Sequence, residues 1–67
     1  MDKAEFVYSY LQPLLRQIGY NVKYATYYQI LGGDEYVLIK YENGYQKRIC
    51  VTADSLRAIV EDVMRGI

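Results

Sequence analysis

The 67-residue chain has no histidine, no tryptophan, one cysteine and one proline, and its eight basic side chains are balanced by eight acidic ones. Each absence removes a class of chemistry. Without histidine there is no nucleophile–histidine pair and no imidazole ligand. With Cys50 alone, no intramolecular disulfide can form, and most zinc sites are excluded as well. Zero net charge leaves no electrostatic footprint for nucleic acid. No apolar run approaches the roughly 20 residues of a membrane-spanning helix, and the opening MDKAEF lacks the basic-then-apolar order of a secretory leader. The expected location is the cytoplasm, with no membrane contact.

Catalysis needs convergent groups of tuned pKa, and the sequence offers no such set. The neighbouring carboxylates Asp34-Glu35 and Glu61-Asp62 point apart on a strand or helix rather than converging. Cys50 has Arg48 two positions away on the same strand face, yet reads as a small packed strand residue. The Gly32-Gly33-Asp34 cluster joins strand to strand and opens no helix, so it is turn chemistry and not a phosphate cradle. No catalytic, cofactor-binding or metal-ligating residue is expected, and the chain does not read as an enzyme.

What the chain does have is tyrosine: nine of them, against one phenylalanine. A tyrosine ring buries a large area while its hydroxyl stays hydrogen-bonded, which suits strand faces and interfaces alike. A chain of this length makes one domain, residues 1–67, and buries only about 60% of the surface its unfolded form exposes. Self-association is therefore expected to be within reach.

Residues 2–18 read as a helix capped by Asp2, with Glu5 three positions on. Val7, Leu11, Leu14, Leu15 and Ile18 fall on one face, and Phe6 and Tyr10 widen it. Pro13 lacks an N–H and presses on the carbonyl of Ser9, so the helix should kink there or begin anew. Gly19 reads as its left-handed cap, after which Tyr20 folds back toward Leu15. From Asn21 to Leu31 the period becomes two, with Val22, Tyr24, Thr26, Tyr28 and Ile30 on one side. After the glycine turn come strands Glu35–Tyr41 and Tyr45–Thr52. Thr52 or Asp54 then caps a closing helix on which Leu56, Ile59, Val60, Val63 and Ile67 recur, widened by Met64. The fold class is α+β, order α-β-β-β-α: a three-stranded antiparallel meander with both helices packed on one face.

Asn43-Gly44 marks the second hairpin, and two registers compete there. A two-residue loop sets Leu38 opposite Ile49 and Lys40 opposite Lys47, leaving Val37, Ile39 and Tyr41 with Arg48 and Cys50. A three-residue loop, Glu42-Asn43-Gly44, pairs Tyr41 with Tyr45 and Ile39 with Lys47, so that Val37, Ile39, Tyr41, Tyr45, Ile49 and Val51 share a face. The second sorts apolar from polar better and is the expected register.

The element order resembles that of the double-stranded RNA-binding domain over the whole chain. That resemblance implies a lysine-rich opening of the last helix reaching phosphates, whereas Thr52-Ala53-Asp54-Ser55 stand here. Lys40, Lys47 and Arg48 beside Tyr36, Tyr41 and Tyr45 would instead suit single-strand stacking. In size and style the chain also resembles the compact inhibitor proteins of phages and mobile elements, anti-CRISPR proteins among them. That resemblance implies a non-catalytic protein-binding module that blocks a host enzyme, such as a CRISPR nuclease, by surface occlusion. The expected contact surface is the open sheet face, with Tyr27, Tyr36, Lys40, Tyr41, Lys47 and Arg48 as its candidates. A protein partner is favoured; a nucleic-acid ligand or a small homo-oligomer, such as a homodimer, are the alternatives.

Overall fold

The computed structural model describes all residues from 1 to 67. The Asp2 carboxylate takes the Glu5 N–H at 2.8 Å and starts a helix whose three segments run on without a break. These are α1 (Lys3–Phe6), a π-helical turn (Val7–Leu11) and α2 (Gln12–Gln17). Pro13 begins no new helix; the disturbance expected there takes the form of the π turn just before it. Proline can give Ser9 no N–H and its ring needs room, and the wider i to i+5 spacing supplies that room, with the Gln12 N–H donating to the Val7 carbonyl. The turn also changes which side chains face inward. Val7, Leu11 and Leu15 are buried, Gln12 joins them, and Tyr10, Leu14 and Ile18, expected on the core face, are exposed. Gly19, at φ 107°, ends the helix: its N–H reaches Arg16 and that of Tyr20 reaches Leu15 at 3.0 Å.

Strands β1 (Val22–Gln29), β2 (Glu35–Tyr41) and β3 (Gln46–Val51) form an antiparallel meander in sequence order. The second hairpin has the three-residue loop. Tyr41 accepts from Gly44, which sits at φ 91°, and donates to Tyr45 at 2.8 Å; Ile39 lies opposite Lys47 and Val37 opposite Ile49. Alternation then sends Val37, Ile39, Ile49 and Val51 to one side, where they meet Val7, Leu11 and Leu15 from the first helix and Ile59 and Val63 from the last. β1 departs from the simple two-residue period. A bulge between Val22 and Tyr24 lets Val22 join Ala25 in the core, although the sequence pattern grouped it with Tyr24 and Thr26.

The last helix, α3 (Leu56–Gly66), is capped by Ser55, whose Oγ takes the Ala58 N–H at 3.0 Å, and not by Thr52 or Asp54. Ala53 explains the delay. It is buried at φ 54°, and this left-handed residue turns the chain out of β3 before the helix begins. Thr52 serves another bond: its N–H and hydroxyl both donate to Asp62, at 2.8 and 3.1 Å.

Gln12 ties the helix to the sheet. Its Oε1 accepts from the Ala25 N–H at 2.9 Å, and one turn on, Arg16 donates to the carbonyls of Val22 (2.8 Å) and Lys23. Replacing Gln12 by leucine keeps the volume but strands the buried Ala25 N–H. Gln12→Leu should therefore lower the unfolding free energy by about 1–3 kcal/mol in urea titration, despite its greater apolarity.

Candidate binding face

The side of the sheet away from the helices is open. Its residues follow from the two registers as three cross-strand rows: Tyr24–Lys40–Gln46, Thr26–Leu38–Arg48 and Tyr28–Tyr36–Cys50. Tyr28 and Tyr36 stack with ring centroids 5.6 Å apart and planes 25° apart. The Arg48 guanidinium lies over the Tyr36 ring, 4.9 Å from its centroid. None of the nine side chains is a carboxylate, so a chain of zero net charge presents here two cations among three tyrosines.

Of the six candidates named from sequence, Tyr36, Lys40 and Arg48 lie on this face. Tyr27, Tyr41 and Lys47 do not: the three-residue loop and the β1–β2 pairing turn all three toward the helices. Tyr27 donates its hydroxyl to Glu35, which also takes the Lys3 ammonium at 2.7 Å. Tyr41 packs on the core against Tyr45, and burial raises its hydroxyl above the ordinary 10.0. Lys47 reaches the Gly66 carbonyl at 3.1 Å, a cation at the negative end of α3. Sequence reasoning missed Tyr24, Thr26, Tyr28 and Leu38. Their signal was present in the alternation of β1 through Tyr24, Thr26 and Tyr28, which fall on the open side once Val22 is detached from the set. Cys50, expected to be packed, is exposed on this face.

Elsewhere the polar groups serve structure. A cleft of 540 Å³ opens between the chain start and the turn before α3, lined by Asp2, Lys3, Tyr27, Ala53, Ser55 and Leu56 among others. Asp2 and Ser55 are there as helix caps, and Lys3 and Tyr27 are held by Glu35. No three Cys, Asp or Glu side chains gather as ligands for a metal ion, and no helix is long and apolar enough to cross a membrane.

The Glu35 cluster sets a pH dependence. The hydrogen bond from Lys3, then that from Tyr27, holds the Glu35 carboxyl below its ordinary 4.5, and the Thr52 N–H holds Asp62 below 3.8. A carboxyl depressed in the folded state adds stability above its unfolded pKa and loses it as pH falls through the folded value. Unfolding midpoints in urea should therefore fall as pH drops below about 4.5. Glu35→Gln should flatten the upper part of that decline and Asp62→Asn the lower.

The two sides of the sheet should also differ under mutation. Tyr36→Ala removes one stacked pair and the seat of Arg48 and should cost no more than about 1.5 kcal/mol. Ile39→Ala, one residue of opposite parity from Leu38 and fully buried, should cost about 2–5 kcal/mol in the same titration. Comparison with family models, curated proteins and solved structures gives no match to this chain.

Proposed function

We propose that the chain is a non-catalytic binding module whose contact surface is the open sheet face and whose partner is a protein. The observation that carries this reading is the composition of that face: Tyr24, Tyr28 and Tyr36 around Leu38, with Arg48 held on Tyr36 and no acidic side chain. Tyrosine and arginine are enriched at the hot spots of protein interfaces: a tyrosine ring offers a large contact area with little freedom to lose, and an arginine already seated on a ring has given up part of its own. Strand pairing and stacking order these rings before a partner arrives, which reduces the cost of binding. The complementary surface is one with carboxylates around an apolar centre, met by Lys40 and Arg48. Occlusion of a host enzyme's working surface is the form this activity takes in our reading.

One observation favours a second reading. Aromatic rings interleaved with Lys40 and Arg48 on a sheet face without acidic side chains also suit the stacking of single-strand bases. Zero net charge weighs against it, since each phosphate contact would want a cation.

Affinity capture from host lysate with and without nuclease separates the two. The wild type should retain a protein that survives nuclease. The variants Tyr28→Ser and Arg48→Glu should each lose it, while Tyr8→Ser, on the exposed side of the first helix, should keep it. Nuclease-sensitive recovery, with tight binding of single-stranded oligonucleotides that weakens as salt rises, would establish the second reading instead.

A further inference from the structure

The outer edge of β1 is only half covered. The Ile30 N–H donates to Asp34 at 3.0 Å, and alternation from there points the backbone groups of Tyr28, Thr26 and Tyr24 toward β2. Those of Lys23, Ala25, Tyr27 and Gln29 point outward. The first helix packs on β1 along its length, yet only part of it bonds the edge: Lys3 at its start reaches to Glu35 on β2, whereas Gln12 and Arg16 bond outward backbone groups of β1. Gln12 takes the Ala25 N–H, and Arg16 takes the carbonyls of Val22 and Lys23. Tyr27 and Gln29 have no hydrogen bond within the chain to their outward N–H and C=O groups.

We infer that this free half-edge pairs with the same half-edge of a second copy, antiparallel about a twofold axis at Tyr28, to make one continuous six-stranded sheet. In that register Tyr27 of each copy faces Gln29 of the other, and the two pairs exchange four backbone hydrogen bonds using only groups that are free. The neighbouring registers fail. A shift centred on Tyr27 sets Gln29 against Ala25, whose N–H is already held by Gln12, and a shift centred on Gln29 needs Leu31, which lies in the turn.

Charge and apolar exposure favour this edge over the other. β3 turns Gln46, Arg48 and Cys50 outward, and self-pairing there brings Lys47 and Arg48 near their own copies. Thr26 to Ile30 carries no charge. The half-edge is flanked by exposed apolar side chains, Tyr24, Ile30 and the fully exposed Leu31. Pairing sets Ile30 opposite the second copy's Thr26, with the second copy's Tyr24 as its diagonal neighbour. It also brings Tyr28 beside the second copy's Tyr28, so the stacked Tyr28–Tyr36 pairs join into a row of four tyrosines across the dimer. The open face is thereby doubled, whichever partner it binds.

Sedimentation equilibrium of the full chain tests this. The mass should climb with concentration from the 7.8 kDa of one chain toward twice that value and stop there. Gln29→Pro removes an outward N–H and the long 3.4 Å side-chain bond to the Gly33 carbonyl, and should stay at one chain's mass with an unchanged circular dichroism spectrum. Arg48→Pro, the equivalent change on β3, should still dimerise. Tyr28→Cys in a Cys50→Ser background reads the axis directly, because facing residues of this kind lie about 4.5 Å apart at Cα, within disulfide reach. Mild oxidation should link that variant into dimers and leave Thr26→Cys in the same background unlinked. A wild type that keeps a single chain's mass at every concentration overturns the inference. So does growth into longer polymers, persistence of the Gln29→Pro dimer, or crosslinking at Thr26→Cys in place of Tyr28→Cys.

Discussion

A strand side chain faces one of only two ways, and in this chain a single loop residue decides which. With Gly44 in the left-handed region, the turn holds three residues, Tyr41 pairs with Tyr45, and every position of β2 and β3 is assigned a side. The core depends on that assignment, because Val37, Ile39, Ile49 and Val51 are the buried residues that β2 and β3 give to it. The candidate surface depends on it equally: Tyr36, Lys40 and Arg48 are outside for the same reason that their neighbours are inside. Core and candidate surface share one constraint, and a loop shorter by one residue would reverse part of each.

That constraint could be read in the sequence because it is local and repeated. The Asn43-Gly44 step marks the hairpin but leaves two loop lengths open; the apolar alternation on either side, and the like charges that the shorter loop would set opposite each other at Lys40 and Lys47, favour the register observed. The cap at Asp2 and the left-handed Gly19 were legible for the same reason, each being a rule about a few adjacent residues. Tertiary geometry decided what was not legible. Nothing near Lys23 announces a bulge; it lies where β1 passes beneath the helix and Arg16 takes the carbonyls of Val22 and Lys23. Pro13 announces a disturbance but not its kind, and the π turn it causes moved Gln12 inward and Tyr10 outward. Ser55 caps in place of Thr52 because Ala53 takes a left-handed conformation that no propensity for alanine would suggest.

The tyrosines show how one residue type is divided between two tasks. Tyr20, Tyr27 and Tyr41 pack their rings against the core, and Tyr27 sends its hydroxyl to a charged partner. Tyr24, Tyr28 and Tyr36 lie on a face with nothing above them but one another and Arg48. Composition alone could not separate these sets, since both need a broad ring with a polar tip. Their charged neighbours do separate them. Lys3, Glu35 and Lys47 are spent on ion pairing and on the end of α3, whereas Lys40 has no partner within the chain and Arg48 has only a ring. Neutrality overall thus conceals a sorted distribution, with the acidic side chains kept off the open face.

An open sheet of three strands has two edges, and each is protected by a different means. β3 carries Lys47 and Arg48 along its length and ends where Asp62 takes the Thr52 N–H, so charge and a side-chain bond both discourage pairing. β1 is protected by two side chains of the first helix, Gln12 and Arg16, as far as Ala25. Beyond Ala25 the helix still packs on β1 but bonds none of its outward backbone groups, Lys3 reaching to Glu35 instead, and the strand runs on uncharged to Ile30. Two side chains one turn apart therefore hold the first part of the edge and leave the rest free. The exposed apolar residues of β1 and its turn lie beside the free half. A lysine at Gln29 would guard the free half as Lys47 and Arg48 guard β3, and the lack of one there is what distinguishes this edge from β3.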